Sequence, residues 1–151
     1  MKLAEALIFR VDVQKRLREL EKRMERVALR QEGDEAAEDP QELLKETEEL
    51  YGTLEKLICN INHTNCRVKD GEKSLADLLC QRDMLQKKQV LLRNLAEWGT
   101  VTRRRCSGSE VRFVSAIPVA KLQLQADGCA RAYREVDTRI QCLNWTSDLL
   151  E

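Results

Sequence analysis

Apolar residues recur every three or four positions over most of this chain, and that spacing predicts four long helices. In the first, over about residues 2–32, Leu3, Ala6, Val13, Leu17, Leu20, Met24 and Val27 keep alternating three- and four-residue steps once Arg10 is admitted to the register. That is a heptad seam. Leu7, Ile8 and Val11 widen the apolar face near its start, so this helix needs more than one partner. Gly33 to Asp39 is an acidic break, after which Asp39 caps and Pro40 opens a second helix over about 40–69. Its seam is Leu43, Thr47, Leu50, Leu54, Leu57, Ile61, Thr64 and Val68, with Leu44, Tyr51 and Ile58 as a flanking stripe. Gly71 supplies the left-handed stop.

Ser74 caps a third helix, over about 74–102. Its early seam is Leu75, Leu78, Arg82 and Leu85; its later half, Val90, Leu91, Leu92, Leu95 and Trp98, is apolar on several sides and reads as the most enclosed part of the protein. Arg103 to Ser109 breaks the helix, and the alternation at Val111, Phe113, Ser115 and Ile117 allows a short β arm near 110–117. The fourth helix, over about 118–144, holds the heptad through Val119, Leu122, Ala126, Cys129, Tyr133, Val136, Ile140 and Leu143.

Short connections make successive helices antiparallel neighbours, so the expected fold is all-α: long antiparallel coiled-coil hairpins in an up-down-up-down four-helix arrangement, as one domain over 1–151. Charge supports the first pairing. Residues 1–31 carry nine basic and five acidic side chains, a net +4, and residues 39–58 carry two and six, a net −4.

Composition narrows function by exclusion. The chain has 26 basic and 26 acidic side chains, a balance that disfavours a nucleic-acid or anionic-membrane partner and leaves little repulsion against self-association. No apolar run approaches the roughly 18 residues of a membrane span, and the start lacks the apolar stretch of a secretory signal, so a cytoplasmic protein with no membrane partner is expected. The six cysteines, Cys59, Cys66, Cys80, Cys106, Cys129 and Cys142, then read as free, packed thiols rather than disulfides.

Candidate chemistry is sparse. His63 is the sole histidine. It shares a helical face with Cys59 and Cys66, but the rise over seven residues is about 10.5 Å, too far for one zinc ion to take all three from a straight helix. No Glu-x-x-His pair, phosphate loop or nucleophile elbow is present. No metal, cofactor or catalytic residue is expected, and the protein reads as no enzyme. Arg103, Arg104, Arg105 and Arg112 form a basic patch, read as a solvated turn in preference to a nucleic-acid site. A nucleic-acid-binding helical arm is the alternative function.

Several strings are less generic: Met1-Lys2-Leu3-Ala4-Glu5-Ala6-Leu7, Gln14-Lys15-Arg16, Glu38-Asp39-Pro40, Ile61-Asn62-His63-Thr64-Asn65, Arg82-Asp83, Val114-Ser115 and Leu143-Asn144-Trp145-Thr146. Across nearly its whole length the chain resembles a bacterial family of unknown function whose members are often labelled septicolysin. The resemblance implies long helical hairpins and a homo-oligomer built from dimers, with a hexamer among the assemblies; the label itself implies a cytolysin. The chain departs from the family's pattern at Phe9 and at Pro118, where acids are common.

On an up-down-up-down bundle, those strings gather Glu5, Asn62, Thr64, Asn65, Arg82, Asp83, Asn144, Trp145 and Asp148 at one end as a candidate polar cluster. It reads first as a hydrogen-bonded end cap or subunit contact, and second as a ligand pocket. Leu7, Ile8, Phe9, Val11, Val90, Leu91 and Phe113 are the candidate oligomer contacts. The functional expectation is a self-assembling structural or protein-interaction module.

Overall fold

The computed structural model describes residues 1–34, 37–101 and 113–150. The fold is all-α, with four helices and one two-stranded sheet: α1 (Leu3–Val27), α2 (Pro40–Arg67), β1 (Lys69–Asp70), β2 (Lys73–Ser74), α3 (Leu75–Trp98) and α4 (Val119–Thr146). The chain divides into two compact units, Met1–Leu75 with Gln141–Glu151, and Ala76–Ile140.

The first unit is organised by the α1–α2 hairpin. At the start of α1 the backbone N–H of Lys2 donates to the Glu5 carboxylate at 2.7 Å, satisfying a donor the helix cannot. Seam residues Leu3, Ala6, Val13, Leu17 and Leu20 are buried, as are Leu43, Thr47, Leu57, Ile61 and Thr64 of α2. Thr47 and Thr64 are tolerated there because each hydroxyl donates to the carbonyl four residues back, at 2.8 and 2.7 Å. Arg10, also in the seam, is half-buried, and its Nε is buried with no hydrogen-bond partner among the described residues. Arg23 pairs with Glu38 near the turn. α1 ends at Val27, short of the expected residue 32: Val27 is the last seam residue, and Leu29 beyond it is 90% exposed, so nothing holds a further turn. α2 begins as its sequence demands, with the Asp39 side chain accepting from the Gln41 N–H at 2.9 Å and Pro40 at the first turn.

Past α2 the chain forms a hairpin that the hydrophobic pattern did not signal. Lys69 pairs with Ser74 and Asp70 with Lys73, across a turn in which Gly71 takes φ +64°. The Leu75 N–H then donates to the Val68 carbonyl at 2.8 Å, and Leu75 is fully buried.

In the second unit, Leu78, Leu92 and Ala96 of α3 and Ala126, Ala130, Val136 and Ile140 of α4 are buried. The two helices run antiparallel: Arg82 near the start of α3 reaches Asp137 near the end of α4, and Gly99 just past α3 lies against Ile117 just before α4. A Cβ at Gly99 would stand 2.6 Å from Ile117 Cγ1 and 3.0 Å from Ser115 Oγ, so a larger residue there must displace these side chains; α3 ends at Trp98, before the expected residue 102.

Two expectations are corrected here. The later half of α3 is not enclosed: Val90, Leu91 and Trp98 are exposed, and only Leu92 and Ala96 of that stretch are buried. Its apolar sides exceed what α4 covers. No strand forms at 113–117, where Phe113 and Val114 are 70% and 81% exposed without a sheet to join; 110–112 lie outside the described residues, as does the 103–105 and 112 arginine patch.

Candidate functional site

In the first unit, the two chain termini and the end of α2 are tied into one polar clasp. Residues 1–3 and 147–149 bond backbone to backbone: the Leu3 N–H donates to the Ser147 carbonyl at 3.0 Å and the Leu149 N–H to the Met1 carbonyl at 2.9 Å. Lys2 Nζ lies 2.8 Å from the Asp148 carboxylate and also donates to the Thr146 carbonyl at 3.2 Å. One step further, the Leu150 N–H donates to Thr64 Oγ1 at 2.9 Å. Thr64 is fully buried, and its hydroxyl uses both capacities: it donates to Asn60 and accepts from Leu150.

The hydrogen bond from Lys2, with its positive charge, holds the Asp148 carboxyl below the ordinary carboxylate range. Glu5 caps Lys2 from the other side. Asn144 is buried in the last turns of α4, Asn65 is half-buried, and Asn62 and Trp145 are exposed. Glu5, Thr64 and Asp148 thus join one hydrogen-bonded clasp. Sequence reading missed Lys2, Thr146, Ser147 and Leu150. Three of these act through backbone atoms, which leave no side-chain signal; Lys2 opposite Asp148 is an opposite-charge pair that could have been sought.

Arg82 and Asp83 belong to the second unit. The Arg82 guanidinium lies 3.1 Å from Asp83 and 3.3 Å from Asp137. Partial burial works against its charge, but the hydrogen bonds it donates to the Asp83 and Asp137 carboxylates outweigh that and raise its pKa above the ordinary value. Asp137 was absent from the sequence-derived cluster; it sits one position past the seam residue Val136.

His63, Cys66, Arg67 and Leu150 line a shallow depression of about 360 Å³. Cys59, Cys66, Cys80 and Cys142 are exposed and Cys129 half-buried, all as free thiols, so four of the five described cysteines are not packed as expected. The four exposed ones fall at solvent-facing positions of α2, α3 and α4. Among the described residues no three His, Cys, Asp or Glu side chains converge to hold a metal ion. Of the candidate oligomer contacts, Ile8, Phe9, Val11, Val90, Leu91 and Phe113 are exposed, and Leu7 is half-buried.

Fold and site together define an all-helical protein whose best-built polar feature is a structural clasp. The chain belongs to a family of unknown function, DUF6847, whose model matches residues 10–149. It is similar to a functionally unknown conserved protein from Corynebacterium diphtheriae, solved by crystallography, at 41% identity over 99% of each chain and a TM-score of 0.91. No curated protein matches it.

Proposed function

We propose that this is a cytoplasmic, self-assembling structural or protein-interaction module, a homo-oligomer whose work is done by helix faces rather than by an active site. The observation that carries the reading is a set of large apolar side chains exposed on helices whose opposite faces are already packed. Ile8 and Val11 are 55% and 53% exposed on α1, opposite buried Ala6, Val13 and Leu17; Leu44 and Tyr51 are exposed on α2, beside buried Leu43 and Leu57. Isolated exposed apolar residues are ordinary; rows of them at heptad spacing on several helices favour burial against another chain. The zero net charge supports it, since copies do not repel.

Neither the family match nor the crystallised relative carries a cytolysin designation, so nothing supports the role that the septicolysin label implies. Light scattering on the native particle tests the assembly reading. A mass above 17.5 kDa is expected, and a monomer at every concentration contradicts it.

A further inference from the structure

The uncovered faces of α1 and α2 each carry a second stripe, and the two stripes are opposite in charge. On α1, Ile8, Val11, Lys15, Arg18 and Lys22 follow one another at three- and four-residue steps, on the side away from buried Val13, Leu17 and Leu20. On α2, Leu44, Glu48, Tyr51, Glu55 and Ile58 do the same, to one side of buried Leu43, Leu57 and Ile61. Each stripe is about 21 Å long. Ile58 is half-buried, and the other side chains of both stripes are exposed. Every charge in the first stripe is basic and every charge in the second is acidic. The single chain makes little use of them. Lys15 lies 4.0 Å from Glu19, and Arg18, Lys22, Glu48 and Glu55 are in no ion pair among the described residues.

We propose that the α1 stripe of one copy of this chain docks antiparallel on the α2 stripe of a second copy; this rests on the self-assembly reading and gives it a surface. Charge decides which faces meet. Pairing α1 with α1 would bring the bases Lys15, Arg18 and Lys22 together with their own copies, and pairing α2 with α2 would do the same with the acids Glu48 and Glu55. Only α1 on α2 joins opposite signs. The order of residues decides the direction. Run antiparallel, the stripes match layer for layer: Ile8 meets the partner subunit's Ile58, Val11 the partner's Glu55, Lys15 the partner's Tyr51, Arg18 the partner's Glu48 and Lys22 the partner's Leu44. Arg18 then has a direct carboxylate, and Lys15 has an aromatic face with the partner's Glu55 one turn away. Run parallel in the corresponding heptad register, Ile8 would fall on the partner's Glu48 and Arg18 on the partner's Ile58, which sets apolar against charged side chains at both ends. The contact joins two different faces and each copy carries both, so further copies can add.

Charge exchange in the full chain tests this by sedimentation velocity, from about 1 to about 200 µM. One variant carries Lys15→Glu with Arg18→Glu, the other Glu48→Lys with Glu55→Lys. Wild type is expected to associate. Each variant alone is expected to associate about tenfold or more weakly, with an unchanged helical circular dichroism spectrum because all four side chains are exposed. An equimolar mixture of the two is expected to associate again, since each then meets opposite charge on the other. If each variant alone associates like wild type, another face carries assembly and the α1–α2 contact is wrong while self-assembly stands. Loss in both variants without recovery in the mixture overturns the pairing of these two stripes. If wild type remains a monomer throughout, self-assembly and the contact both fall. Direction is read in a chain with its six cysteines changed to serine. Under a mild thiol oxidant, Ile8→Cys is expected to cross-link to a second chain carrying Ile58→Cys; cross-linking to Glu48→Cys instead overturns the antiparallel register.

Discussion

The α1–α2 hairpin and helix α3 carry the same kind of apolar repeat and use it differently. In the hairpin, Leu3, Ala6, Val13, Leu17 and Leu20 of α1 and Leu43, Thr47, Leu57, Ile61 and Thr64 of α2 are buried, and the open ends are tied by backbone hydrogen bonds between residues 1–3 and 147–149. In α3, Leu78, Leu92 and Ala96 are buried, yet Met84, Leu91 and Trp98 repeat along the other side in the open. A heptad states that a helix has an apolar line; it does not state whether the covering residues belong to the same chain. What separates the two regions is supply. α1 finds a full seam in α2, whereas the α4 residues buried in the second unit are mostly small, and α3 has more apolar surface than they cover.

The sharpest contrast is between a packed and an exposed seam residue. Ile61→Ala should lower stability by about 2–5 kcal/mol, since Ile61 is 2% exposed and its removal leaves a cavity. Leu91→Ala should stay within about 0.5 kcal/mol in the monomer. Urea denaturation at low protein concentration measures both, and equal losses would erase the distinction drawn between these regions. Next is Gly99→Ala, expected to cost about 1–3 kcal/mol because Ile117 and Ser115 must move aside. A neutral result in thermal unfolding would show that this approach is not tight. Thr64→Val keeps the shape but leaves the Leu150 N–H without its acceptor, for a loss of about 1–2 kcal/mol and faster amide exchange at Leu150. Arg10→Leu should run the other way, a gain on the order of 1 kcal/mol, because it removes a buried unpartnered Nε from the seam.

The smallest effect is acidic. The Glu38 carboxyl, hydrogen-bonded by Arg23, and the Asp148 carboxyl, hydrogen-bonded by Lys2, both titrate lower in the folded chain than in the unfolded one. The folded state therefore binds fewer protons. Its stabilisation is complete above the ordinary carboxylate range, near pH 4, and declines as pH falls through the lowered values. Both carboxylates are at the surface, so the decline is shallow and weakens further with salt. Urea midpoints at pH 7 and pH 3 for wild type, Glu38→Gln and Asp148→Asn check it: the variants should lose less between the two than wild type does.

Helix number, helix identity and the seams of α1 and α2 were legible because their apolar steps, the Asp39-Pro40 start and the Gly71 stop are local signals. The end of α1 was not, because residues 28–32 have helix-forming side chains and only the lack of a packing partner after Val27 stops them. The two-residue strands at 69–70 and 73–74 are too short to show an alternation. In the clasp, Glu5, Thr64 and Asp148 were legible as polar residues near helix ends; the backbone bonds that join them were not. The exposure of Val90, Leu91 and Trp98 was misread as enclosure, since a buried apolar row and an exposed one have the same period.

The central claim is that the uncovered seams are covered by other copies of the chain. Sedimentation equilibrium of the wild-type protein, over about 1 to about 200 µM, tests it most directly. The account predicts a mass that rises with concentration from 17.5 kDa toward a whole multiple of it. A constant 17.5 kDa across that range contradicts it.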